Sequence, residues 1–114
     1  MTRISTHVLD LNRGKPAPHV PVRLERQLES GEWILIATSH TDVDGRCAQL
    51  LPENTVLESG NYKLGFDISE YQSGQHIEPL YPVIEITFRV REEDTQFHLP
   101  LLLSPHGYTT YRGS

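Results

Sequence analysis

Residues 83–90 read Val-Ile-Glu-Ile-Thr-Phe-Arg-Val. Ile84, Ile86, Phe88 and Val90 alternate with Glu85, Thr87, Arg89 and Arg91. A period of two marks a strand that buries one face and wets the other. The same grammar recurs on both sides of it. Downstream, Glu92-Glu93-Asp94-Thr95 is a solvated turn. Phe97–Leu103 is the next strand, Ser104-Pro105-His106-Gly107 turns it, and Tyr108–Arg112 is the last. Upstream, Asn61–Phe66 places Tyr62, Leu64 and Phe66 on one face. Between them, Asp67–Gln72 suits one or two helical turns, with Asp67 as N-cap, Glu70 three positions on and Gly74 as the stop.

Nearer the start, Ile4–Leu9 is a first strand. Val20, Val22 and Leu24 alternate with Pro21, Arg23 and Glu25. Glu29–Glu32 makes a hairpin connection into Trp33–Thr38, WILIAT, whose continuous apolar character predicts cover on both faces. Trp33 reads as a core or edge cap. Thr41–Arg46, TDVDGR, is a polar reversal in which Gly45 supplies positive φ. Leu50–Glu53 leads out of a short element. Eight glycines and eight prolines separate these runs, and no linker or internal repeat divides them. The expectation is one all-β domain over residues 1–114, a β-sandwich of two antiparallel sheets with seven or so short strands and one short helix.

Composition excludes several classes of function. The formal charge is −5, and Lys15 and Lys63 are the sole lysines, so no basic stripe exists for nucleic acid. One cysteine, Cys47, cannot form an internal disulfide and reads as a small core residue. No apolar stretch approaches the length of a membrane span. The first residues lack the apolar centre of a secretory signal, so a cytoplasmic location is expected.

Six histidines supply the chemistry. Imidazole exchanges protons near neutrality. Strand parity puts Ser5, His7 and Leu9 on one side of the first strand, opposite Ile4, Thr6 and Val8. His98 shares a side with Pro100, Leu102 and Ser104, and Pro100 must break the ladder there. Histidine beside leucine is not a simple wet face; it suggests a surface that something else covers, such as a second subunit. Arg46 presents a planar fork suited to a flat, oxygen-rich ligand. His19, His40, His76 and His106 read as turn or surface residues. A serine-hydrolase elbow, a nucleotide loop, a calcium loop at Asp42 and Asp44, and a zinc cluster all lack their spacing.

Three segments together carry a resemblance: ISTHVLDLNRGKPAPHVPVRL at 4–24, TDVDGR at 41–46 and FHLPLLLSPHGYTTYRGS at 97–114. They resemble the transthyretin-related 5-hydroxyisourate hydrolases, and the terminal YRGS separates that group from hormone-carrying transthyretins. The resemblance implies a transthyretin-like sandwich of about eight strands and a homotetramer, a dimer of dimers with active sites at the inter-dimer interface. It implies hydrolysis of 5-hydroxyisourate to 2-oxo-4-hydroxy-4-carboxy-5-ureidoimidazoline in urate degradation, with no metal or other cofactor. Carried over residue by residue, it implies His7, His98 and Ser114 as catalytic. Arg46, Tyr111, Arg112 and Gly113 are implied at the substrate. Gln96 departs from the family's pattern, in which a histidine often precedes the catalytic one by two places. The rival expectation is a non-catalytic carrier of a small ligand.

Overall fold

The computed structural model describes residues 2–52 and 54–114; Glu53, expected to lead out of a short element, lies outside the described residues. The chain forms two sheets face to face. One carries β3 (Pro21–Gln27), β4 (Trp33–His40), β6 (Gly60–Asp67) and β7 (Val83–Val90) in the order β4-β3-β6-β7, every pair antiparallel. The other is built on β1 (Arg3–Asp10) and includes β2 (Lys15–Pro16), β5 (Arg46–Cys47), β8 (Gln96–His98), β9 (Leu101–Ser104) and β10 (Gly107–Thr110).

The alternation read from the sequence fixes the inside. Ile4, Thr6, Val8 and Asp10 of β1 are buried, while Ser5, His7 and Leu9 are half-buried on the opposite side. From the facing sheet come Val22, Leu24, Tyr62, Leu64, Phe66, Ile84 and Val90, and Phe97, Leu101 and Leu103 complete the layer. Each large apolar side chain so buried contributes about 1.5–3 kcal/mol. Cys47 lies in this core.

The expectation of two antiparallel sheets needs correction. The sheet of β1 is mixed: β1 runs antiparallel to β2 and β5 but parallel to β8 and β9. The intervening chain crosses to the other sheet and back, so β8 enters beside β1 from the same end. Pro100 breaks the ladder as expected, splitting one strand into β8 and β9. The Thr6 and Thr110 hydroxyls donate to the carbonyls of Leu99 and Pro100 there, each at 2.7 Å, so the break leaves no orphan acceptor.

Two local expectations also change. β4 is not covered on both faces: it is an edge strand, and a bulge at Leu24/Glu25 sets Leu35 opposite Glu25 on the outer face, 59% exposed. The helix α1 spans Ser69–Ser73, and its N-cap is Ile68 rather than Asp67. Asp67 still serves the helix start by accepting the Ser69 N–H at 3.1 Å. Gly74 stays in the right-handed region, and the left-handed residue after the helix is His76 at φ 61°. The turn ends when Ile77 N–H reaches back to the Gln72 carbonyl.

Candidate active site

β1 is the spine of the site, because three other segments meet it. In the antiparallel register His7 stands opposite Arg46 of β5; in the parallel register Ser5 stands opposite His98 of β8. Residues separated by more than ninety positions thus share one patch.

The turn before β5 is tightly built. Asp42 Oδ1 accepts the N–H groups of Asp44 and Arg46, each at 2.9 Å. The Arg46 N–H is the largest cause of an Asp42 carboxyl held below its ordinary range. Gly45 has φ 75°, and a Cβ there would stand 2.5 Å from the Val8 carbonyl oxygen. Only glycine lets this turn press against β1, and that contact delivers Arg46 to the side of His7. The Asp42 carboxylate is therefore engaged in shaping the loop, and Asp44 joins it through its backbone N–H.

His7 Nε2 lies 2.9 Å from the Asp44 carbonyl oxygen. A carbonyl only accepts, so the Nε2–H of His7 donates to it. His98 Nδ1 lies 2.8 Å from Ser5 Oγ. Burial is the first cause lowering the proton affinity of His98, and the charges of His7 and Arg46 add to it. His98 is therefore neutral near pH 7.

The tail folds back over this patch. Gly113 N–H donates to the His98 carbonyl at 2.6 Å, bridging the two chain segments. A Cβ on Gly113 would meet His98 Cδ2 at 2.7 Å, so glycine is required for close approach to the ring. Ser114 then reaches a cavity of about 370 Å³, open on one side, which it lines with Arg46, His98, Ser5, Arg3 and Gln96. The tail is an ordered part of the site.

Of the residues expected from sequence, the structure assembles His7, His98, Arg46, Gly113 and Ser114. It does not bring Tyr111 and Arg112 to the cavity of the single chain. Tyr111 is exposed. The Arg112 guanidinium sits 4.5 Å over the Phe97 ring, donates to the Gln96 carbonyl at 3.0 Å and lies 3.6 Å from Asp94. Its role here is to anchor the tail. Arg3 and Ser5 were not singled out in the sequence. Parity had already placed Ser5 beside His7, but the pairing to His98 needed the parallel register.

This arrangement matches a known family. The family model described as HIUase/Transthyretin covers residues 4–113. The chain belongs to the HIUase/transthyretin family. It is 44% identical over 112 residues to the 5-hydroxyisourate hydrolase of Mus musculus, covering 97% of this chain and 94% of the relative. It is 40% identical over 111 residues to the 5-hydroxyisourate hydrolase of Salmonella typhimurium, covering 97% and 80%. Among solved structures, Klebsiella pneumoniae 5-hydroxyisourate hydrolase superposes with a TM-score of 0.84 at 33% identity over the whole of both chains. Sea bream transthyretin in complex with thyroxine superposes with a TM-score of 0.89 at 32% identity, over 97% of this chain and 94% of the other. The family's fold therefore accommodates both a hydrolase and a protein that binds thyroxine, and the side chains of the site must separate them.

Proposed function

We propose that this chain hydrolyses 5-hydroxyisourate in urate degradation, using His98 as the general base. The observation that carries the reading is that Arg46 and a neutral His98 line one open cavity, with His7 opposite Arg46 in the β1–β5 ladder. A carrier needs an apolar tunnel; a hydrolase needs proton-transfer groups and a place for negative charge.

His98 Nε2 takes a proton from water as its oxygen attacks a ring carbonyl carbon. His7, opposite Arg46 across the β1–β5 ladder, helps aim the water oxygen. Negative charge then develops on the carbonyl oxygen, where the Arg46 fork stabilises it. Collapse of the tetrahedral species breaks the carbon–nitrogen bond, and the His98 imidazolium returns its proton to the departing ring nitrogen. Ser114 borders the substrate and limits how it can lie. A well-placed base or acid supplies roughly 100- to 10,000-fold.

The reading includes a homotetramer in which a second dimer closes the open side of the cavity. What supports it is the outer face of β1 and β8–β10. There Leu9 and Leu102 are half-buried, and Tyr111, just beyond β10, is 54% exposed. In that assembly Tyr111 and Arg112 would contact substrate only across the interface.

The test uses urate and urate oxidase to generate hydroxyisourate, with its ultraviolet signal followed with and without this protein. Decay well above the spontaneous rate is expected. A rate equal to the spontaneous one leaves the carrier reading, which the likeness to sea bream transthyretin favours.

A further inference from the structure

The imidazole of His98 is held from two sides, and only one of the holding groups is explained by the tail. Gly113 passes against Cδ2. On the other edge of the ring, Ser5 Oγ stands 2.8 Å from Nδ1. This contact joins two side chains whose backbones are fixed against each other. Ser5 and His98 are direct partners in the parallel ladder, and the Ser5 carbonyl accepts the Leu99 N–H at 3.0 Å, locking the two strands together. The serine hydroxyl also lies 3.5 Å from the Phe97 carbonyl oxygen.

We propose that Ser5 is a positioning residue for His98: its hydroxyl accepts the Nδ1–H and turns its own proton to the Phe97 carbonyl, which leaves the Nε2 lone pair facing the cavity. The carbonyl can only accept, so a hydroxyl whose proton turns to Phe97 is left to accept from Nδ1. Among the described residues no hydrogen bond is found to His98 Nε2, the nitrogen the hydrolysis requires as base. The same arrangement serves the imidazolium formed during the reaction, whose Nδ1–H continues to donate to Ser5. Ser5 thus supports both protonation states without moving. An orienting partner on the second ring nitrogen is the general device by which a catalytic histidine keeps its tautomer.

The proposal rests on His98 as the base of the hydrolysis, so its test includes a readout that does not depend on activity. Protein carrying ¹⁵N-histidine is examined by NMR above the titration range of His98, in the wild type, Ser5→Ala and Ser5→Thr. The expected result is Nδ1–H as the predominant form of His98 in the wild type and in Ser5→Thr. In Ser5→Ala a shift toward Nε2–H is expected. Hydrolysis measured on the same samples should fall about 10- to 100-fold in kcat for Ser5→Ala with little change in KM, the loss usual for removing an orienting partner. Ser5→Thr, which keeps the hydroxyl, should restore most of it. An unchanged tautomer in Ser5→Ala overturns the proposal whatever the rate does. A changed tautomer with wild-type kcat overturns the catalytic consequence and, with it, His98 Nε2 as the base. A wild type that shows the Nδ1–H form but no hydrolysis sinks the proposed function while leaving the Ser5 contact intact.

Discussion

The outer faces of the two sheets obey the same alternation and come to opposite ends. On β3, β6 and β7 the outward charges satisfy one another. Lys63 Nζ lies 3.2 Å from Glu25, 3.5 Å from Glu85 and 4.4 Å over the Trp33 ring, and Arg23 reaches both carboxylates. On β1, β5 and β8 the outward groups include two imidazoles, His7 and His98, and two guanidiniums, Arg3 and Arg46. Arg46 enters no ion pair among the described residues, and its side lies exposed toward the cavity. A charge already paired has little left to offer a ligand. A cation held beside two histidines and in no ion pair still has donors to offer, and a polar, oxygen-rich substrate can take them. The protein can therefore carry a net charge of −5 and still present a positive pocket.

The hardest way to break this contrast is to remove the chemistry from the active face alone. Replacing His98 with Asn, or His7 with Asn, is expected to lower turnover by about 100-fold or more. Circular dichroism and sedimentation should stay unchanged, since neither ring belongs to the core. Purified variants with normal turnover would show that the cavity is not where hydrolysis occurs.

Next in size is Gly113→Ala. The new Cβ would stand 2.7 Å from His98 Cδ2 and 3.2 Å from the His98 carbonyl oxygen, so either the ring turns or the tail lifts. Displacement of a reacting group by about 1 Å can cost 100-fold, and a fall in kcat of about 10- to 100-fold is expected. Thermal stability should barely move, because the tail adds almost nothing to the core. A fully active Gly113→Ala enzyme would mean that the tail closes differently during turnover.

How far the sequence reveals this contrast depends on the range of the forces involved. The parity of β1 is local: Ile4, Thr6 and Val8 must go inward, and His7 must therefore face out. The break at Pro100 is local too, since a missing N–H is a property of the residue itself. What joins Ser5 to His98 is a parallel pairing across most of the chain, and no short-range pattern encodes it. The orientation of Arg112 was hidden for a related reason. Its choice of the Phe97 ring and the Gln96 carbonyl over the cavity is a competition among neighbours that only coordinates display. The edge position of β4 was misread because apolar continuity looks alike in a covered strand and in an edge strand shifted by a bulge. The segments that carry the family resemblance supply candidate side chains, and the fold shows which of them meet.

A subtler probe is the acid limb of the rate. His98 has its proton affinity lowered from the ordinary 6.5, first by burial and then by His7 and Arg46. The active base form is thus complete above that lowered value and is lost as pH falls through it. Arg46→Met removes one of the two charges but not the burial, so the limb of the residual activity should move upward while remaining below 6.5. An Arg46→Lys variant keeps the charge and loses the fork. Its limb should stay in place while its rate falls sharply, which separates electrostatics from geometry. A limb that ignores both substitutions would detach Arg46 from His98.

The smallest effect is expected on the opposite face, and it tests whether pairing really silences a charge. Lys63→Met removes the cation shared by Glu25 and Glu85 and its contact with Trp33, yet it retains the aliphatic stem that packs on the strand. Arg23 remains within reach of both carboxylates, at 3.5 Å and 3.4 Å, so neither is left without a partner. Partly exposed pairs of this kind are worth about 0–1 kcal/mol, and denaturant unfolding should register a loss within that range. Hydrolysis should be unaltered, because the network faces away from the cavity across the whole thickness of the sandwich. Should Lys63→Met instead cut the hydrolytic rate at unchanged stability, the two faces would be coupled through the core, and the division of labour between the sheets would have to be abandoned.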